Sequence, residues 1–478
     1  MSLPSLRFLL FFLITALGWH FLPKKAKKPW LLMACYGFYW LAGGAFVLLL
    51  ALETLLTWLL ARAAERELRG RRGLWTALGV LCTLGTLFFF KYTRFFLEDI
   101  LQLSAGFLPE WVLPAGISFF SFVMCGYLFD VQQGKYPAEK NLLNYALFAA
   151  FFPTLLAGPI ERGNTLLSQL REPPSAGGEE RRQGLLRFVW GAAKKLVAAD
   201  TIGLYVDAAW SDPGAVSGGA MLCAVLLYSF QIYLDFSAYT DMAIGCGSML
   251  GFRLTENFQA PYLSLSVKDF WKKWHISLTS WFREYLYFPL GGSRKGRWRT
   301  IVNILIVFSV SGLWHGAAIT FLLWGLLNGL YQAAGMLTLP ARKKLWRWLG
   351  MEEDGRLLAA IRCILTFLLI SAAWIFFRAP SLALALQAAK HILLIVREGF
   401  GRASAFNLLP ERQLILMLLS LLPFLWEDIR IALRRPRLPM PRNPFLFWGS
   451  ILLICLLISV FGVYGLGYDA REFVYFQF

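Results

Sequence analysis

Four histidines occur in the chain, and two of them stand where an imidazole could exchange a proton with a substrate. His315 lies in Ser311-Gly312-Leu313-Trp314-His315-Gly316-Ala317, inside residues 300–340, which contain no Asp, Glu, Lys or Arg. An ionisable side chain in such a run is costly unless it faces a cavity or a partner. Histidine is also the side chain whose charge changes near neutral pH, so it suits general acid–base work. Gly312 and Gly316 leave room beside it for a substrate or for a break in the helix. The alternative is a hydrogen-bonded core histidine. His275 lies in residues 268–285, where tryptophans and cations mix as they do at a membrane–water boundary. Trp271, Trp274, Leu278 and Trp281 recur at helical spacing and give one apolar face, with His275 at its edge near Trp271. That face serves either an amphipathic anchor helix or a functional histidine. His20, at the end of an apolar segment, and His391, in an amphipathic stretch, read as structural or interfacial.

A second polar cluster, residues 231–242, interrupts an apolar stretch with Asp235, Ser237, Tyr239 and Asp241. Helix neighbours recur at three and four, so the two aspartates do not share a face and no metal pair is expected. The cluster either supplies interhelical hydrogen bonds or lines a polar channel. HExxH, the P-loop, GxSxG and Cys/His metal spacings are all missing from the sequence, which disfavours a soluble-type hydrolase, ATPase or metalloprotease. The seven cysteines are scattered through apolar runs and read as small core residues, without disulfides or metal.

The elements that must hold these residues are membrane helices. Hydrophobic residues make up 58% of the chain and charged residues 16%, against about 25% charged in an ordinary soluble domain. Residues 30–52, 74–90, 141–160, 363–377 and 443–468 are also free of charge. A spanning helix needs about 20 apolar residues, so the fold class is an all-α polytopic membrane protein with about ten to thirteen membrane segments. Residues 8–22 read as a retained first span with its N-terminus outside, not as a cleaved signal peptide. Gly43-Gly44 offers a turn between two helices of residues 30–60. Pro114 and Gly116 mark residues 111–129 as broken or re-entrant. Residues 171–187 read as a polar surface loop. Helices are expected over residues 185–210, 218–250, 359–377, 381–395, 413–426 and 445–464, with no internal repeat and no soluble domain. The net charge of +18 sits in short clusters at residues 24–28, 62–72, 294–299, 342–347 and 430–442. That is the positive-inside pattern of cytoplasmic loops in contact with anionic lipid, and nucleic acid is not an expected partner.

Four stretches together resemble the membrane-bound O-acyltransferases, and within them the bacterial alginate O-acetylation branch. They are residues 270–293 from Phe-Trp-Lys-Lys-Trp-His to Phe-Pro-Leu-Gly-Gly-Ser, residues 311–317 around Trp-His-Gly, residues 235–245, and residues 151–160. The likeness runs over most of the chain and includes the closing Phe473-Val474-Tyr475-Phe476-Gln477-Phe478. The resemblance implies one integral-membrane domain over residues 1–478, a helical ring around a central funnel or tunnel, with a catalytic core at about residues 111–340 and an aromatic tail at 471–478. It implies that His315 is the catalytic histidine and His275 the second one. Trp314, Gly316, Trp274, Asp235, Ser237, Tyr239 and Asp241 are expected from the residues themselves as supporting residues of the tunnel. No bound cofactor is implied; acetyl-CoA, or another acyl thioester, is the donor. An extracytoplasmic SGNH-type protein and a polysaccharide acceptor are the implied partners, in the bacterial cytoplasmic membrane. Tyr475 resembles the tyrosine of a short motif in the teichoic-acid system and would carry the acyl group; aromatic anchoring is the alternative. D-alanyl transfer to teichoic acid and movement of a lipid-linked sugar remain competing readings.

Overall fold

A computed structural model describes residues 3–67, 70–104, 106, 108–109, 111–398, 408–464 and 473. All regular elements among them are helical. Five stretches are long and apolar enough to cross a membrane: Lys24–Arg66, Arg72–Ile100, Gly218–Leu250, Arg356–Arg378 and Pro444–Phe461. Leu6–Phe21, Ile117–Gln132 and Leu382–Ile395 are shorter apolar helices.

The chain packs as two compact units, one from residues 1–192 and 239–256, the other mainly from residues 193–238 and 257–474. In the first unit, Ser5 caps Leu6–Phe21 by accepting the Phe8 N–H at 3.2 Å. The expected turn at Gly43-Gly44 is present. Gly44 takes φ 57°, a left-handed conformation that glycine adopts without a steric penalty. Lys24–Gly43 and Val47–Arg66 then run antiparallel, so that Leu32 and Tyr36 share a groove with Leu55 and Thr54. Arg72–Phe95 packs closely on this hairpin and on Ile117–Gln132, since a Cβ at Gly79 would meet Leu128 at 2.8 Å and Leu60 at 3.4 Å. The break expected near Pro114 and Gly116 is also present: Gly116 has φ 70° and Ile117–Gln132 starts just after it.

Two expectations are corrected here. Residues 141–160 do not form one spanning helix; they form Leu142–Ala149 and the short Phe152–Leu155. Pro153 restricts Phe152 and has no N–H to continue the helix, and this apolar run is buried inside protein, not against lipid. Residues 171–187 are not all loop: Gly178–Ala193 is a helix whose first turn carries Glu179 and Glu180, where the helix dipole favours acid.

In the second unit the charge-free residues 300–340 fold as Arg297–His315 and Ile319–Leu337, joined across Gly316 to Ala318. This pair packs tightly through glycine. A Cβ at Gly312 would run into the Phe321 carbonyl oxygen, and one at Gly325 into that of Phe308. At the other end of Arg297–His315, Asn303 Nδ2 donates to the carbonyls of Leu290 at 3.3 Å and Gly292 at 2.9 Å. Those bonds tie the Phe-Pro-Leu-Gly-Gly segment to the helix that ends at His315, with Gly291 at φ 102° and Gly292 at φ 56°.

Candidate active site

His315 is the last residue of Arg297–His315 and is buried, with 4% of its surface exposed. Gly316 leaves the helix in extended backbone (φ −156°, ψ 148°), and a Cβ there would collide with the Phe321 ring. A side chain there would have to displace the Phe321 ring at the turn that presents the imidazole.

His275 is reached differently. The spacing of Trp271, Trp274, Leu278 and Trp281 suggested a single amphipathic helix. The structure instead breaks it into Val267–Lys273 and Ile276–Phe282, with His275 between them at φ 43°, ψ 56°. All four apolar residues of that pattern are buried and His275 is wholly so, which overturns the surface-anchor reading. Burial alone pushes the His275 imidazole down to about 3, so near neutral pH the ring is uncharged.

The two imidazoles lie together, with ring centres 6.5 Å apart. Trp314 stands beside both, 6.1 Å from His275 and 4.9 Å from His315. Trp324 at 5.1 Å and Phe377 at 5.4 Å close the far side of His315, and Phe236 lies 4.7 Å from His275. Neither Trp324 nor Phe377 was marked by any sequence pattern; both are brought in by tertiary packing. Trp271 Nε1 donates to Asn328 Oδ1 at 3.1 Å and Asn328 Nδ2 to the Trp324 carbonyl at 2.9 Å, which fixes this wall. Trp274 belongs to the same aromatic layer, packed on Phe258 at 5.1 Å, Phe270 at 5.3 Å and Trp374 at 5.2 Å. Two neutral-capable imidazoles in an aromatic enclosure can pass a proton and bind an acyl group while excluding water.

The polar cluster is placed elsewhere. Asp235 accepts from Lys195 at 2.6 Å, and Lys195 also pairs with Asp200 at 2.9 Å. Ser237 Oγ donates to the Leu234 carbonyl at 3.4 Å. Tyr239 and Asp241 belong to the first unit; Tyr239 is buried, and Asp241 pairs with Arg187 at 2.8 Å. The two aspartates thus have different partners, as their spacing required. His20 and His391 are each half-buried in helices. Tyr475 lies outside the described residues, but Phe473, two positions earlier, is buried against the Lys195 ammonium at 4.6 Å. Sequence reasoning also missed the buried pairs of Lys194 with Glu427 at 2.9 Å and Arg437 with Glu427 at 2.9 Å, and the Tyr233 hydroxyl donating to Asp428 at 2.6 Å. Lys194 with Glu427 and Tyr233 with Asp428 join residues far apart in sequence, and none of the three pairs carries a shared motif.

The model of the membrane-bound O-acyltransferase family matches residues 132–379. The probable alginate O-acetylase AlgI of Pseudomonas putida is 34% identical over 495 residues, covering 98% of this chain and 99% of that protein. Its namesake from Pseudomonas aeruginosa is 37% identical over 387 residues, covering 79% of this chain and 72% of that protein. The peptidoglycan O-acetyltransferase of Helicobacter pylori is 33% identical over 408 residues, covering 78% of this chain and 76% of that protein. His275 and His315 both fall within the family match.

Proposed function

The chain belongs to the membrane-bound O-acyltransferase family and is a multi-pass membrane O-acyltransferase, and from that premise we propose that it O-acetylates a cell-surface or exopolysaccharide, taking the acyl group from a cytoplasmic thioester, acetyl-CoA, and passing it across the bacterial cytoplasmic membrane. The whole chain works as one acyltransferase domain. The observation that carries this reading is the convergence of His275 and His315, from separate helices, to 6.5 Å between ring centres.

The chemistry follows from the poor nucleophilicity of a hydroxyl at neutral pH. As the hydroxyl oxygen forms its bond to the thioester carbonyl carbon, the His315 imidazole takes the hydroxyl proton. Collapse breaks the carbon–sulfur bond, and the imidazolium returns that proton to the leaving thiolate. His275, neutral by burial, orients the donor. Trp314 and Gly316 set the position of His315, and Trp274 holds the wall behind His275. Asp235 and Ser237 support this region of the second unit through the contacts described above. Both imidazoles are enclosed by aromatic rings here, so turnover requires that wall to part for the acyl chain.

The hydroxyl that first receives the acyl group is that of Tyr475, and an extracytoplasmic SGNH-type partner completes transfer to the sugar. The test is transfer of labelled acetyl from acetyl-CoA in membranes containing His315→Ala at unchanged protein level. Loss of transfer is expected; full retention refutes the assignment. Labelled D-alanine on an acyl carrier, offered in parallel, separates acetyl from D-alanyl transfer.

A further inference from the structure

His275 holds a left-handed backbone conformation that costs a residue other than glycine about 1 kcal/mol or more. Something must impose it. The Ile276 N–H donates to the Asn257 carbonyl at 3.0 Å, and the Ser277 N–H donates to Asn257 Oδ1 at 3.1 Å. On the other side of the turn, Gln259 N–H donates to the Lys273 carbonyl at 3.0 Å. Residues 257–259 therefore bracket the His275 turn, and Asn257 alone supplies both contacts on its exit side.

Asn257 is itself fully buried. The Ser277 N–H can be accepted only by the carboxamide oxygen, which fixes the orientation of the amide. Its Nδ2 has no acceptor among the described residues. A buried amide donor without a protein acceptor costs about 1–3 kcal/mol unless a water or a ligand accepts from it. The neighbourhood is that of His275: Phe258, the next residue, packs on Phe236 at 5.1 Å, and Phe236 packs on His275 at 4.7 Å.

We propose that Asn257 is a third polar group of the acyl-transfer site: its Oδ1 sets the His275 turn, and its Nδ2 donates a hydrogen bond to the acyl carbonyl oxygen. The inference rests on the acyltransferase reading above. When the hydroxyl oxygen bonds to the carbonyl carbon, negative charge moves onto the carbonyl oxygen until the carbon–sulfur bond breaks. A fixed amide donor at that oxygen stabilises this state more than the ground state. No proton leaves Asn257 in the cycle.

The test uses the full chain in membranes. Asn257→Asp keeps the acceptor for Ser277 and replaces the donor with a second acceptor. Asn257→Ser keeps a helix-capping oxygen without introducing a charge. Both are expected to lower kcat by about 100-fold or more, with KM for acetyl-CoA raised by about tenfold at most. A kcat within about twofold of the parent in either accumulating variant overturns the proposal. Binding to the parent protein is measured as well, with the non-reactive ketone analogue S-acetonyl-CoA and the carbonyl-free S-propyl-CoA. The ketone is expected to bind at least about tenfold more tightly, one good charge-assisted or amide hydrogen bond being worth about that much. Equal binding overturns the proposal even if neither variant accumulates. Loss of activity in His315→Ala with normal kcat in the Asn257 variants would remove this inference and leave the acyltransferase assignment standing. Retained activity in His315→Ala would instead strike the role of His315 as the base.

Discussion

The helix Pro444–Phe461 and residues 300–340 around His315, in the interior of the second unit, both come from sequence runs without charge, yet they are built for opposite neighbours. In Pro444–Phe461 only 11% of the most apolar window is buried, and its leucines point outward, Leu452 being 68% exposed. A Cβ on its Gly449 would meet nothing within 4 Å. In the interior, Gly312 lies against the backbone of the facing helix and buried cations are matched to buried carboxylates. Hydropathy reports the absence of water and is silent on whether lipid or protein replaces it. Small residues in backbone contact and paired charges reveal which one does.

The sharpest way to break this contrast is to strand an interior charge. Lys195 lies between Asp235 and Asp200 with almost no exposure, so Lys195→Ala leaves two carboxylates without their cation. Removing one partner of a buried pair costs about 3–5 kcal/mol. Thermal unfolding in detergent is expected to show a large drop, or the protein to disappear from membranes. Leu453→Ala on the outward face, where Leu453 is 57% exposed, is the control and is expected to change little. Equal effects from the two substitutions would dissolve the distinction.

Gly312→Ala comes next. The added methyl meets a carbonyl oxygen of the backbone, which cannot turn aside as a flexible side chain could. Overpacking of this kind costs about 1–3 kcal/mol. Because Gly312 lies one turn before His315, activity is expected to fall further than stability does. Measuring acyl transfer per folded molecule separates the two losses.

Much of this organisation is legible in the sequence, and the exceptions share a cause. The Trp-His-Gly segment gives both the buried imidazole and the end of its helix, because glycine marks the break locally. The hairpin at Gly43-Gly44 and the interruption before Ile117 are legible for the same reason. The spacing of Asp235 and Asp241 excludes a shared site, but it does not name Lys195 and Arg187 as their partners. His275 misleads most. Its surroundings have helical periodicity, while the left-handed turn is hydrogen-bonded on its exit side to Asn257, in a different segment that no periodicity links to it. Residues 141–160 mislead in a related way, since an apolar run buried in protein is free to bend at Pro153 where a lipid-exposed helix could not.

The buried His275 also gives the interior a pH dependence that the outward-facing helix Pro444–Phe461 lacks. Its imidazole sits at about 3 in the folded protein, against 6.5 for an ordinary histidine. Between these values the unfolded chain binds a proton that the folded chain does not, so folding stability falls as pH drops below 6.5. Melting temperature measured down the acid range is expected to decline less steeply in His275→Gln than in the parent. An unchanged slope would mean that this ring does not contribute.

The smallest expected effect tests the other side of the contrast. Gly449→Ala adds a methyl where no protein atom lies within 4 Å and where the backbone is ordinary helix. Alanine is the better helix former by about 0.5–1 kcal/mol, because glycine loses more conformational freedom on folding. If lipid covers this face, the methyl enters hydrocarbon without collision and the melting temperature rises slightly or holds, with acyl transfer unchanged. The same glycine-to-alanine change therefore carries opposite signs at positions 312 and 449. A marked loss at 449 would mean that another protein surface packs there, and that this helix, too, belongs to an interior.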